Sequence, residues 1–162
     1  DDIETVEVFF ANNQILFRSE HISFYTRLLE GNYPDTDRLI PTEFNTEATF
    51  NVANLRFAME RARLLSNATQ NGTVKLEFKN GVVSSHVHSP EVGRVNEEID
   101  TSAVSGEDLS ISFNPTYLIE ALKAIDSEQV VIRFISSVRP FTLVPEGNEQ
   151  GFIQLITPVR TN

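Results

Sequence analysis

His86-Val87-His88 sets two imidazoles two residues apart. On a strand that spacing puts both on one face, where they could chelate a metal ion. No third ligand lies nearby in sequence, so the pair reads first as decoration of a solvated strand, with Ser84 and Ser85 beside it. His21 stands alone, without a nucleophile motif around it. Carboxylates are plentiful at Glu97-Glu98, Asp100 and Glu107-Asp108. They fall at strand ends and in loops, with no pairing that would separate an acid from a base. There is no Gly-rich phosphate loop, no Gly-x-Ser-x-Gly and no His-Glu-x-x-His. Cysteine is absent, which removes disulfides, thiolate metal sites and cysteine nucleophiles together. The expectation is a protein that is not an enzyme, with no catalytic residue, no metal and no cofactor. A metal-dependent enzyme built on His86 and His88 ranks last among the readings.

The cations are more informative. Arg56, Arg61 and Arg63, against Glu60, make one predicted helix net basic on a chain whose formal charge is −10 and whose pI is near 4.7. Lys123 adds a positive charge to a second helix, offset there by Glu120 and Asp126. Ordinary solvated helix faces explain such charges, and a basic surface that meets phosphates without reading bases is the functional alternative. The net acidity argues against a simple nucleic-acid binder but leaves room for a local basic face.

Two segments organise the elements that would position these side chains. Residues 5–10, 15–19 and 22–29 read as three antiparallel strands without a helix, too little for a stable domain alone. Asp1 is not an initiator Met and strand-like sequence begins almost at once, so the sequence reads as a piece of a longer chain. The stretch Gly31 to Pro41 follows, with Pro34 and Pro41 bracketing Asp35, Thr36 and Asp37. Proline biases its preceding residue toward extended backbone, so this stretch reads as a rigid junction that can also wall a binding site. With 40% hydrophobic residues the remainder can bury a proper core. No apolar run approaches the roughly 18 residues of a membrane span, and the sequons at Asn67 and Asn71 read as a polar loop.

Beyond the junction the pattern repeats. Ala48-Thr49-Phe50 is a strand, Asn51 an N-cap, and Val52 to Leu65 a helix with Leu55, Ala58, Met59, Ala62 and Leu65 at helical spacing. Strands at 74–78, 82–88 and 93–99 follow, the first two joined by Asn80-Gly81. Then come a strand at 109–113, an Asn114-Pro115 helix start, a helix ending near Asp126, and strands at 130–134, 140–144 and 152–159. Phe50-Asn51-x-x-x-Leu55-x-x-Ala58 matches Phe113-Asn114-x-x-x-Leu118-x-x-Ala121, and Val74-x-Leu76-x-Phe78 matches Val130-x-Ile132-x-Phe134. A strand–helix–three-strand unit therefore occurs twice, which signals pseudo-symmetric architecture. The expected class is α+β, with two helices side by side on an antiparallel sheet.

Five segments carry a family resemblance: Leu28 to Asp35, Arg38-Leu39-Ile40-Pro41, Ala62 to Asn67, Phe113-Asn114-x-x-Tyr117-Leu118, and Ile156-Thr157-Pro158-Val159-Arg160. In this order they resemble the C-terminal part of the bacterial DNA polymerase III β subunit, the sliding clamp. The resemblance implies that residues 1–40 end a truncated middle domain and 41–162 form a complete third domain of the DNA-clamp fold. It implies a cytoplasmic, head-to-tail homodimeric ring that encircles duplex DNA, helices toward the hole, and tethers the replicative polymerase without catalysing anything.

The resemblance also implies a hydrophobic cleft for a short linear motif of polymerases, the clamp loader and repair proteins. Carried over by position, Pro34, Arg38 and Leu39 form one wall of it, Asn114 and Tyr117 the rim, and Leu155, Thr157, Pro158, Val159 and Arg160 the C-terminal wall. Arg56, Arg61, Arg63 and Lys123 are expected to face DNA, and Leu64 and Leu65 to form the ring interface. Thr157 and Val159 stand where methionine is common in relatives, giving a smaller, stiffer groove lining. The alternative reading is a non-catalytic adaptor that uses the same fold for protein binding without encircling DNA.

Overall fold

The computed structural model describes residues 5–33, 35–66, 72–89, 93–148 and 151–160. Pro34 and both sequon asparagines lie outside the described residues. The chain divides into two compact units, Asp1–Thr36 and Asp37–Asn162.

In the first unit β1 (Glu7–Phe10), β2 (Gln14–Arg18) and β3 (Ser23–Arg27) form an antiparallel sheet in the order β1-β2-β3. Phe9 opposes Leu16, which opposes Tyr25. Arg18 pairs with Glu7 across the sheet at 2.8 Å. Large apolar side chains such as Phe10, Phe24, Tyr25 and Leu29 remain exposed.

The second unit holds β4 (Thr46–Asn51), α1 (Val52–Ser66), β5 (Val74–Lys79), β6 (Val82–Ser89), β7 (Gly93–Ile99), β8 (Ala103–Gly106) and β9 (Leu109–Phe113). It continues through α2 (Pro115–Lys123), β10 (Gln129–Phe134), β11 (Phe141–Pro145) and β12 (Gln154–Ile156). A 3-10 turn spans Thr36–Arg38. Both expected helix starts form: Asn51 Oδ1 accepts from Asn54 N–H at 3.0 Å, and Asn114 Oδ1 accepts from Thr116 N–H at 2.9 Å, ahead of Pro115.

The fold is the expected α+β class, and the strands divide between two antiparallel sheets, β12-β11-β10-β4-β8 and β7-β6-β5-β9. The division follows from an exchange: the first strand of each repeated unit pairs with the hairpin of the other. Phe50 of β4 opposes Val130 of β10, and its counterpart Phe113 of β9 opposes Val74 of β5. Every matched apolar position is buried, Phe50 with Phe113, Leu55 with Leu118, Ala58 with Ala121, Val74 with Val130, Leu76 with Ile132, and Phe78 with Phe134. Their cluster sits between the helices and the sheets, with Phe134 packed on both Phe78 and Phe141 at ring separations of 4.9 and 5.1 Å. Exchange makes each unit depend on the other for its core, so neither half can bury its phenylalanines alone.

Three details depart from the sequence reading. β8 was not expected, because Ala103-Val104-Ser105-Gly106 lacks apolar alternation; pairing with the edge of β4 makes it a strand. The last strand spans Gln154–Ile156 rather than 152–159, since Pro158 has no N–H to give a ladder. α2 stops at Lys123, where Ala124 N–H turns back to Ala121.

Candidate peptide groove and helix surface

A groove of about 470 Å³ lies between α2 and β12, lined by Tyr117, Glu120 and Ala121 from the helix and by Gln154, Leu155, Ile156 and Thr157 from the strand. Burial of Leu118, Ile119 and Leu122 fixes the helix and turns Tyr117 outward, 59% exposed. On the strand Ile156 points into the core opposite Phe141, so Leu155 faces the other way, opposite Thr142. Past Thr157 the chain leaves its own sheet: Val159 N–H donates to Ser112 O of β9 at 2.7 Å. That bond ties the tail beside the strand that leads into α2, and both walls of the groove are thereby held to one frame.

The helix surface is less basic than its composition. Leu55, Ala58, Met59, Ala62 and Ser66 are the buried stripe of α1. Its outward ridge carries Ala53, Phe57 and Leu64, the last 72% exposed. The arginines stand on the flanks. Arg56 and Arg63, seven residues apart, share one flank; Arg56 lines a cavity of about 210 Å³ with Lys123, Leu122 and Ile125 of the neighbouring segment. The Arg56 guanidinium lies 5.3 Å from the Phe57 ring centre and 3.8 Å from Glu60. Arg61 points down the other flank to Glu97 of β7, donating from Nε at 3.3 Å and from Nη2 to the second carboxylate oxygen. That hydrogen bond, reinforced by the charge of Glu97, raises the Arg61 pKa above its ordinary value. Lys123 is paired with Glu120 at 2.9 Å.

Residues 37–160 match the family described as DNA polymerase III beta subunit, C-terminal domain. The chain belongs to that family. The beta sliding clamp of Streptococcus pneumoniae is 80% identical over all of this chain, and that of Lactococcus lactis is 56% identical. The chain spans 43% of the length of both relatives. Among solved structures, the S. pneumoniae DNA polymerase III β chain superposes with a TM-score of 0.88 over 99% of this chain and 43% of its own. The Bacillus subtilis sliding clamp, 38% identical, gives 0.82 over 97% of this chain and 41% of its own.

Within this β-subunit domain, the expected cleft residues fall into groups. Tyr117, Leu155 and Thr157 line the one groove. Pro158, Val159 and Arg160 continue from it along the tail, and Asn114 caps the helix that forms its other wall. Arg38 closes the 3-10 turn and Leu39 follows it, half exposed; neither is among the groove's lining residues. Sequence reasoning passed over Glu120, Ala121 and Gln154, which line the groove. Helical spacing gives the signal for two of them, because Tyr117, Glu120 and Ala121 stand at i, i+3 and i+4. Val138, 53% exposed, lies in the β10–β11 turn, which the pairing of Phe141 with Ile156 brings to the Thr157 end of β12.

Leu64 and Leu65 part company: Leu64 stands in the open and Leu65 packs against the core. Neither ring nitrogen of His86 is idle. Its Nδ1 is hydrogen-bonded with Asn96 Oδ1 at 2.8 Å, and its Nε2 with the Ser84 hydroxyl at 2.9 Å, with Glu77 Oε2 3.6 Å away. Among the described residues no three His, Cys, Asp or Glu side chains are grouped to hold a metal, and no helix is long and apolar enough to cross a membrane.

Proposed function

We propose that this chain is the C-terminal part of a DNA polymerase processivity factor, a ring-shaped clamp that encircles duplex DNA and tethers its partners through the α2–β12 groove. The observation that carries the reading is this groove, lined by Tyr117, Leu155 and Thr157, in a domain of the β-subunit family. On this reading residues 1–40 close a middle domain, 41–162 form the third domain, and the protein works in the cytoplasm as a homodimer. The factor binds and does not catalyse, since a tether needs topology and docking rather than bond chemistry. A groove between a fixed helix and a fixed tail, with Tyr117, Ala121 and Leu155 offering apolar surface beside polar Glu120 and Gln154, suits a short motif from a polymerase, a clamp loader or a repair protein.

Toward DNA, Arg56, Arg61, Arg63 and Lys123 give a weak, sequence-independent attraction. Carboxylates stand beside three of them, at Glu60, Glu97 and Glu120. Partial neutralisation is what sliding requires, because a tight grip on phosphates would stall the ring. At the subunit contact Leu64 supplies an exposed apolar side chain while Leu65 anchors the helix end beneath it.

The test is retention on DNA. With the chain in a protein of its relatives' full length, loaded by its clamp loader, closed circular DNA retains the protein through gel filtration and linearised DNA releases it. Failure to be retained on circles, with peptide binding intact, would favour an adaptor that uses the fold for protein binding alone.

A further inference from the structure

The groove meets four consecutive residues of the chain, Gln154, Leu155, Ile156 and Thr157. Side chains alternate across a strand, so a groove touching all three residues of β12 and the one that follows it runs along the strand's edge and not over one face. β12 is the terminal strand of its sheet, paired with β11 on one side only among the described residues. An edge strand directs every second pair of backbone N–H and C=O groups outward, as a template for another chain. Among the described residues, no backbone hydrogen bond from another segment occupies that edge between Gln154 and Thr157. Charge marks one end. The Glu120 carboxylate is taken by Lys123, whereas Arg160, exposed beyond Thr157, has no carboxylate partner among the described residues.

We infer that the occupant of this groove is an extended peptide that joins the five-stranded sheet as a sixth strand, pairing its backbone with the free edge of β12. The inference rests on the groove being the partner-binding site and adds how the partner is held. Alternate apolar side chains of the peptide descend toward Tyr117, Ala121 and Leu155, and an acidic side chain meets Arg160. Main-chain bonds give affinity that is indifferent to sequence, and the pockets select the alternate residues. Docking by strand addition would let one short edge accept motifs from several unrelated partners.

The main test alters the peptide and not the protein. An acetylated decapeptide from the C-terminal tail of a replicative DNA polymerase is titrated calorimetrically, followed by a series in which each backbone amide in turn is N-methylated. Affinity is expected to fall about tenfold at every second position along the bound segment and to hold at the positions between. Losses without that alternation, or no losses, overturn strand addition and leave the groove standing as a side-chain site. No binding of the unmodified peptide overturns the groove reading and this inference with it. A dimer of the chain that the peptide dissolves, seen by sedimentation, would assign the edge to a second copy and overturn the inference as well. In the same assay Arg160→Ala should weaken an acidic peptide more than its Gln counterpart, and equal losses would remove the charge contact.

Discussion

Thr142 is buried to 1% exposure, opposite Leu155 on the face of the sheet that turns away from the main core, and its hydroxyl finds no hydrogen-bond partner among the described residues. Val131 and Val144 are buried on the same face. A buried hydroxyl without a partner carries its desolvation cost unreturned, so Thr142→Val should raise stability by about 1 kcal/mol in chemical denaturation. A decrease instead would mean that the hydroxyl is satisfied. Asn114 is the opposite case, since its side chain holds the first turn of α2 and so the Tyr117 wall. Asn114→Ala should cost about 1 kcal/mol by the same measurement. Both helix caps were legible in sequence because an Asn before a helical pattern, in one case followed by proline, has a local mechanism. The place of Arg61 was not, because Glu97 lies 36 residues away and only the β6–β7 hairpin brings it to α1.

At the scale of elements, the repeated unit was readable because its matched residues are the core itself. The exchange of first strands was not, since a pairing such as Phe50 with Val130 spans most of the domain and leaves no local mark. β8 was hidden for a related reason: backbone pairing, not burial, makes it a strand. Its end depends on Gly106, whose φ is +97° and where a Cβ would lie 1.9 Å from Asn45 O. Gly106→Ala therefore forces the end of β8 away from the start of β4, where Gly106 opposes Thr46, and should destabilise the domain by about 1–3 kcal/mol, read as a lowered denaturation midpoint. The Arg61–Glu97 tie between α1 and β7 behaves differently with pH. A guanidinium whose folded pKa is raised contributes fully below its unfolded value and gives up that contribution only as pH rises through the folded one, so its side of the pair is constant at neutrality.

For the whole molecule, the proposed ring would meet DNA through a few partly neutralised cations on two helices of an acidic chain. Salt dependence of DNA association in a full-length ring would separate the four cations. Arg63→Ala should reduce the log–log salt slope by about one for each phosphate that the arginine neutralises. Arg61→Ala should reduce the slope by less than Arg63→Ala does, because Glu97 already offsets part of its charge. The groove, by contrast, depends on one wall from α2 and one from the C-terminal tail, both in the second unit. The most direct test is calorimetric titration of a polymerase-tail peptide into the chain carried in a protein of its relatives' length. Tyr117→Ala and Pro158→Ala should each weaken binding about tenfold while Arg61→Ala leaves it unchanged. Equal affinity across all four proteins, or no binding to the unaltered one, would contradict the account.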